Sequence, residues 1–232
     1  MIEEPALLTI KRSMPRPTAD QIAAFQGVPT SFVVDAMHGR GAMFSQIQPL
    51  GAGRDLNCVA AGPALTVDCG PGDILALLAA LPSITDGDIV VSAFHGHQGC
   101  ASAGDRVTGM IKNCGGAGFI SDGPLRDYAG IVEVGLPVWC TGLTPNTPHS
   151  SGPGSVGLPI QIGGQEVETG DMIVADRDGV VVVPYERLDE VITSLASVTE
   201  LEIASDAELK AGLKVPDTIV ELLKSDKIKY VD

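Results

Sequence analysis

The chain has 232 residues, 44% hydrophobic but only 4% aromatic, so its core must rest on Ala, Val, Ile and Leu, as cores of α/β sheets do. The net charge is −14 with no Lys/Arg cluster, which argues against duplex nucleic acid and against an anionic membrane surface. No apolar run reaches the roughly 18 residues of a membrane span, and five cysteines without a CxxC spacing read as reduced thiols of a cytoplasmic protein.

The start, MIEEPALLTIKRSMPRP, lacks the apolar stretch of a signal peptide, and residues 1–17 read as an arm ending at Pro15 and Pro17. Thr18 and Gln21 form a capping box for a short helix to about Phe25. A second helix from Thr30 carries Phe32, Val33, Ala36 and Met37 at helical spacing and closes at Gly39. Ser45 to Leu50 reads as irregular or extended. Ala60 to Val67 reads as a strand, which Pro63 restricts to an edge or a bulge. The turn Gly70-Pro71-Gly72 opens a helix from Asp73 to Ala80. Asp88 to Ala93 reads as a central strand, apolar on both faces, and FHGHQGCAS (Phe94 to Ser102) as an irregular loop at its carboxyl end. Asp73 and Asp88 read as turn caps.

The next stretch, GDRVTGMIKNCGGAGFISDGPLRD from Gly104 to Asp127, carries the chemistry. Val107, Met110, Ile111 and Cys114 mark a helix stripe, which places Cys114 in the core, and Gly115-Gly116 end that helix. Ala117 to Ile120 is a strand running into Ser121 to Pro124, then Arg126 and Asp127. Tyr128 to Val134 is a helix and Leu136 to Thr141 the next strand. This alternation predicts βαβ units around a parallel sheet. Thr144 to Gly154 is a long Pro/Gly/Ser-rich loop. Val156 to Ile162, Met172 to Ala175 and Val180 to Val183 are short strands at hairpin spacing. Tyr185 to about Leu209 is the longest helix, its apolar stripe running to Leu201 and its end acidic through Glu200, Glu202, Asp206 and Glu208. Pro216 precedes a last amphipathic segment to Leu223. No linker divides the chain, so it reads as one domain, 1–232, with C-terminal helices over 185–232.

Asp105 at a helix start and an Arg126–Asp127 pair past a strand's carboxyl end lie where open α/β sheets collect ligands. Hard carboxylate oxygens suit Mg²⁺ or Mn²⁺, and a small 2-oxo acid chelates such an ion while an arginine stabilises its enolate. On spacing alone the same residues also read as a helix-start charge and an ordinary surface pair. His95 and His97 form an HxH without an evident third metal ligand, and read as pocket-lining or surface residues. His38 and His149 are isolated. Neither a phosphate-binding loop nor a dinucleotide fingerprint nor a serine nucleophile elbow is present.

The run quoted above, followed by VGLPVWCTGLTP and LPIQIGGQEVETGDMIVADRDGVVVVP, resembles the RraA-like family, as do VPTSFVVDAM and the Pro71 to Asp73 turn. That family includes 4-hydroxy-4-methyl-2-oxoglutarate/4-carboxy-4-hydroxy-2-oxoadipate aldolases and regulators of ribonuclease E activity. The resemblance covers roughly residues 25 to 205. It implies an α/β/α sandwich around a central swivelling-type β-barrel or mixed sheet, a C-terminal helical extension, and assembly as a homotrimer or dimer of trimers. It implies a metal-dependent lyase of the class II aldolase/decarboxylase type, acting on a small 2-oxo acid with Mg²⁺ or Mn²⁺. In it Asp127 is the metal ligand, and Asp105 and Arg126 are catalytic, Asp105 reaching the metal's waters. Gly104 and the backbone amides of Arg106 and Val107 bind the substrate carboxylate. Glu200 or Glu202 of a neighbouring subunit helps through water. Arg106, where a small or apolar residue is usual, and the histidine-rich loop depart from the family pattern. Both bear on substrate choice, which makes His95 and His97 candidate substrate-binding residues. The alternative is a regulator-like protein-binding module without turnover.

Overall fold

The nine residues of one strand, Ala60 to Asp68, are shared among three partner strands. The computed structural model describes residues 6–231. In chain order it contains β1 (Leu8–Ile10), α1 (Ala19–Phe25), α2 (Thr30–Ala36), β2 (Gln48–Pro49), β3 (Ala60–Asp68), α3 (Leu75–Ala80) and β4 (Ile89–Ala93). There follow α4 (Asp105–Asn113), β5 (Gly118–Ser121), α5 (Tyr128–Val134), β6 (Val138–Cys140) and β7 (Gly154–Val156). The last are β8 (Ile160–Ile162), β9 (Gln165–Val167), β10 (Met172–Ala175), β11 (Val180–Val183), α6 (Leu188–Lys210) and α7 (Asp217–Leu223).

The main sheet runs β1-β7-β3-β4-β5-β6-β2, with β3 to β6 parallel and β10-β11 joined to it through β3. Residues 60–63 of β3 pair antiparallel with β10, and residues 64–68 pair parallel with β4. Pro63 stands at that hand-over, so β3 is internal and not the edge strand its proline suggests. The missing N–H falls where one ladder ends, and Ala64 N–H takes up the Asp171 carbonyl at 2.8 Å.

Two apolar clusters follow from this split. The larger packs β3 to β6 with α3, α4 and α5, around Trp139, Phe119, Leu65 and Ile111. The second packs β10 and β11 with α1, α2 and α6, around Phe25, Val33 and Val191. Burial of this many Val, Ile and Leu side chains, each worth about 1.5–3 kcal/mol, is what holds helices this short in place.

Several sequence expectations need correction. The N-terminal arm contains a strand, β1, paired parallel with β7. Val156 to Ile162 is two strands, because the chain turns at residues 157–159, and β9 closes a hairpin on β8. Cys114 is exposed, because α4 buries Val107, Thr108 and Ile111 instead. The buried stripe of α6 stops near Val198, and Leu201 is 68% exposed, because nothing among the described residues covers the far half of the helix. Among the described residues, no helix is long and apolar enough to cross a membrane.

Candidate functional site

Parallel strands β4 and β5 deliver two loops to one edge of the sheet, and a cleft of about 390 Å³ opens there. Its walls include Gly104, Asp105, Arg106 and Val107 at the start of α4, and Arg126 and Asp127 at the start of α5. Ile74, Ala103 and Pro148 complete it. The volume suits a small-molecule ligand.

Each wall is fixed by backbone bonding. Ala103 and Leu125 form a parallel bridge, and Leu125 bridges again to Leu143. Arg126 N–H donates to the Ala103 carbonyl at 3.1 Å, and Ile131 N–H to the Asp127 carbonyl at 3.0 Å. Asp127 caps α5 with φ 61°, in the left-handed region that a non-glycine residue occupies at a cost of about 1–2 kcal/mol. That backbone turns its carboxylate toward Gly104, where an added Cβ would lie 2.5 Å from Asp127 Oδ2. Gly130 makes the same allowance for Asp105, whose Oδ2 would sit 2.6 Å from a Cβ there.

The charges interlock. Asp127 Oδ2 lies 3.2 Å from Arg126 Nε. Arg126 Nη1 donates to Thr147 Oγ1 at 2.9 Å. Asp105 Oδ1 accepts the Arg106 N–H at 2.6 Å, so that amide is already engaged. Gly104 is the N-cap of α4 and supplies no side-chain cap, and among the described residues the Asp105 and Val107 amides have no partner outside the helix, at its positive end. Next to Asp127, Tyr128 Oη donates to Asp55 Oδ2 at 2.6 Å, and that bond raises the phenol's pKa.

The donor chemistry of the cleft is two carboxylates and no histidine or cysteine. Among the described residues no group of three or more His, Cys, Asp or Glu side chains could hold a metal ion. Two carboxylates fit a hard cation such as Mg²⁺ or Mn²⁺ that keeps several waters, and do not fit Zn²⁺. The buried thiols offer no competing chemistry, since burial pushes Cys69 and Cys140 up to about 11.

The two histidines of the loop after β4 lie elsewhere. His95, with φ 54°, bonds through Nε2 to Asp68 Oδ1 at 2.8 Å and lines two neighbouring cavities. His97 sits edge-on to Phe94 at 5.6 Å between ring centroids. Glu200 and Glu202 ride on α6 and do not line the cleft of their own chain. Sequence reading missed Thr147 and Pro148, which lie in the Pro-rich loop, and the role of Asp73. Asp73 closes a turn just ahead of α3 by accepting the Leu75 N–H, as expected of a turn cap, and also holds Ser151 and Gly152. Burial works to raise its pKa, but these hydrogen bonds outweigh it and the net shift is downward.

The fold and this edge-of-sheet cleft define an α/β protein with an acid–arginine–acid site. The RraA-like family model (Aldolase/RraA) matches residues 30–182, and the chain belongs to that family. A Halalkalibacterium halodurans protein, provisionally named a 4-hydroxy-4-methyl-2-oxoglutarate aldolase, is 38% identical over 173 residues, covering 75% of this chain and 80% of its own. Streptomyces coelicolor RraAS2, described as an unusual member of the RNase ES inhibitor RraA protein family, superposes with a TM-score of 0.73 at 30% identity. That match covers 83% of this chain and 100% of the other. A Pseudomonas syringae pv. tomato structure of 22% identity shares the fold, with a TM-score of 0.74 over 88% of this chain and 94% of its own.

Proposed function

We propose that the chain is a divalent-metal-dependent lyase that acts on small 2-oxo acids. It would cleave a 4-hydroxy-2-oxo acid to pyruvate and a second oxo acid, or decarboxylate oxaloacetate, through an enolate. The observation that carries this reading is the convergence of Asp105, Arg126, Asp127 and the uncapped start of α4 on one cleft. The aldolase name of the 38% identical relative supports it.

Mg²⁺ or Mn²⁺, held by Asp127 and through water by Asp105, would supply Lewis-acid charge to the keto and carboxylate oxygens. The chain's own groups do the rest. The free amides of α4 orient the substrate carboxylate. The Arg126 guanidinium faces the oxygen on which charge develops as the C3–C4 bond breaks and its electron pair enters the enolate. Asp105, through a water, takes the proton of the 4-hydroxyl and returns it to C3, which balances the cleavage. In decarboxylation carbon dioxide leaves, its bonding pair enters the enolate, and C3 takes a proton that solvent water supplies through Asp105. In the same reading the chain is a homotrimer or dimer of trimers, with Glu200 or Glu202 brought to the cleft by a neighbouring subunit. Leu201 and Ile203, exposed beside these glutamates, support such a contact.

A second reading, a ribonuclease-regulator-like binding module without turnover, is favoured by the likeness to RraAS2. One assay separates the two. Purified protein with oxaloacetate and Mg²⁺ or Mn²⁺ is expected to release pyruvate, and EDTA to stop it. Arg126→Ala and Asp127→Asn should each lower kcat/KM by about 100-fold or more. Asparagine is chosen because it tolerates the left-handed backbone at residue 127. No turnover of any 2-oxo acid, combined with capture of a ribonuclease, would sink the lyase and support the module.

A further inference from the structure

The Pro-rich loop after β6 is a strap across the cleft, pinned at both ends. Near its start the Ala101 N–H donates to the Asn146 carbonyl at 3.0 Å, and Asn146 Nδ2 donates to the Gly99 carbonyl at 2.8 Å. Near its end the His149 N–H donates to the Gly72 carbonyl at 2.8 Å, and the Ile74 N–H to the His149 carbonyl at 2.9 Å. Asp73 Oδ2 then accepts from the amides of Ser151 at 2.6 Å and Gly152 at 3.0 Å, and from the Ser151 hydroxyl at 3.2 Å. Between the pins stand Thr147, whose hydroxyl accepts from Arg126 Nη1, and Pro148, a wall of the cleft.

From this geometry we propose that Thr147 is the positioning residue for Arg126, held in place by the strap. A guanidinium is planar and rotates as one body about its long side chain. Asp127 holds its Nε edge at 3.2 Å and Thr147 holds Nη1 at 2.9 Å. With Cδ, which the side chain itself places, these two contacts fix the guanidinium plane, and Nη2, which has no hydrogen-bond partner among the described residues, is the group left for an anionic ligand. The Arg126 side chain is 36% exposed, so water competes for every one of these bonds. The hydroxyl therefore does little for folding and acts on orientation, where small displacements weigh heavily on rate. The proposal also gives the histidine loop a route to the site, since Gly99 and Ala101 of that loop hold Asn146, next to Thr147.

Its activity readout rests on the lyase reading, so the test carries a second readout that does not. Thr147→Val removes the acceptor at constant shape, and Thr147→Ser keeps it. With oxaloacetate and Mg²⁺, Thr147→Val is expected to lower kcat/KM by about tenfold, mostly through kcat, and Thr147→Ser to stay within about threefold of wild type. In parallel, ¹⁵N spectra of the arginine side chains, assigned with Arg126→Lys, should show resolved Arg126 Nη signals in wild type and Thr147→Ser, because the bond to Thr147 slows rotation about Cζ–Nε. Thr147→Val should speed the exchange between them. Unchanged exchange in Thr147→Val overturns the proposal whatever the kinetics. So does a loss in Thr147→Val that serine fails to restore. If wild type turns over no oxo acid, the lyase reading fails and the spectra alone decide the role of Thr147.

Discussion

Asp127 stands in a backbone conformation that aspartate accepts better than most residues, and its carboxylate occupies space that only a glycine at 104 leaves open. Gly104 itself has φ −146°, which any residue adopts, so Gly104→Ala tests crowding alone. The added methyl must displace the Asp127 carboxylate or the Arg126 side chain, whose Cγ would lie 3.2 Å away. We expect Mn²⁺ affinity, followed by the EPR signal of the free ion, to fall at least about tenfold, with a stability loss of about 1–2 kcal/mol. Unaltered Mn²⁺ binding would mean that Asp127 does not hold the ion from this position. At this scale the sequence was informative about identity but not about neighbours. Asp105, Arg126 and Asp127 were visible as a helix start and a strand end, and they do meet. Thr147 was invisible, because its partner is 21 positions away and the intervening loop has no period from which a register could be read. His95 was drawn to the cleft by sequence proximity, yet Asp68 at the end of β3 holds it in neighbouring cavities.

Elements with a clear period were legible and those defined by a ladder partner were not. The alternation of β4, α4, β5, α5 and β6 follows from apolar runs broken by Gly and Pro. By contrast β1, β2 and β9 are two or three residues long and exist only because β7, β6 and β8 lie beside them. The strap is the same case in a loop, since its order comes from pins that the turn Gly72–Asp73 and residues 99–101 provide. Asp73→Asn tests it as an element. The amide nitrogen at one Oδ position cannot accept, so either the Leu75 bond or the two backbone bonds from Ser151 and Gly152 must be lost. We expect faster hydrogen exchange across residues 146–152, a stability loss of about 1–3 kcal/mol, and a higher KM for oxaloacetate. Exchange unchanged in that segment would show that the strap is held without Asp73.

For the whole molecule, charge and burial act in the same direction. A net charge of −14 repels itself, and that repulsion eases as carboxylates protonate. Asp88 and Asp171 add to this, since burial raises the pKa of each against the hydrogen bonds that lower it, from Thr85 and Arg16 to Asp88 and from Glu168 and Tyr185 to Asp171. A raised carboxylate pKa means that the folded state holds the proton over a window where the unfolded chain has lost it, so stability falls as pH rises through that window. Asp73 has the opposite sign. Its lowered value stabilises the fold above the ordinary carboxylate range, and this is lost only as pH falls through the folded pKa, below about 3.9. The sum places maximum stability on the acid side of neutrality and above about pH 4. A Tm series across pH 4 to 8 should therefore peak below pH 7. Added salt should flatten the part due to general repulsion while sparing the part due to the two buried aspartates, which salt screens poorly. A Tm that climbs steadily to pH 8 would mean that neither contribution governs the fold, and a slope abolished entirely by salt would assign it to surface charge alone.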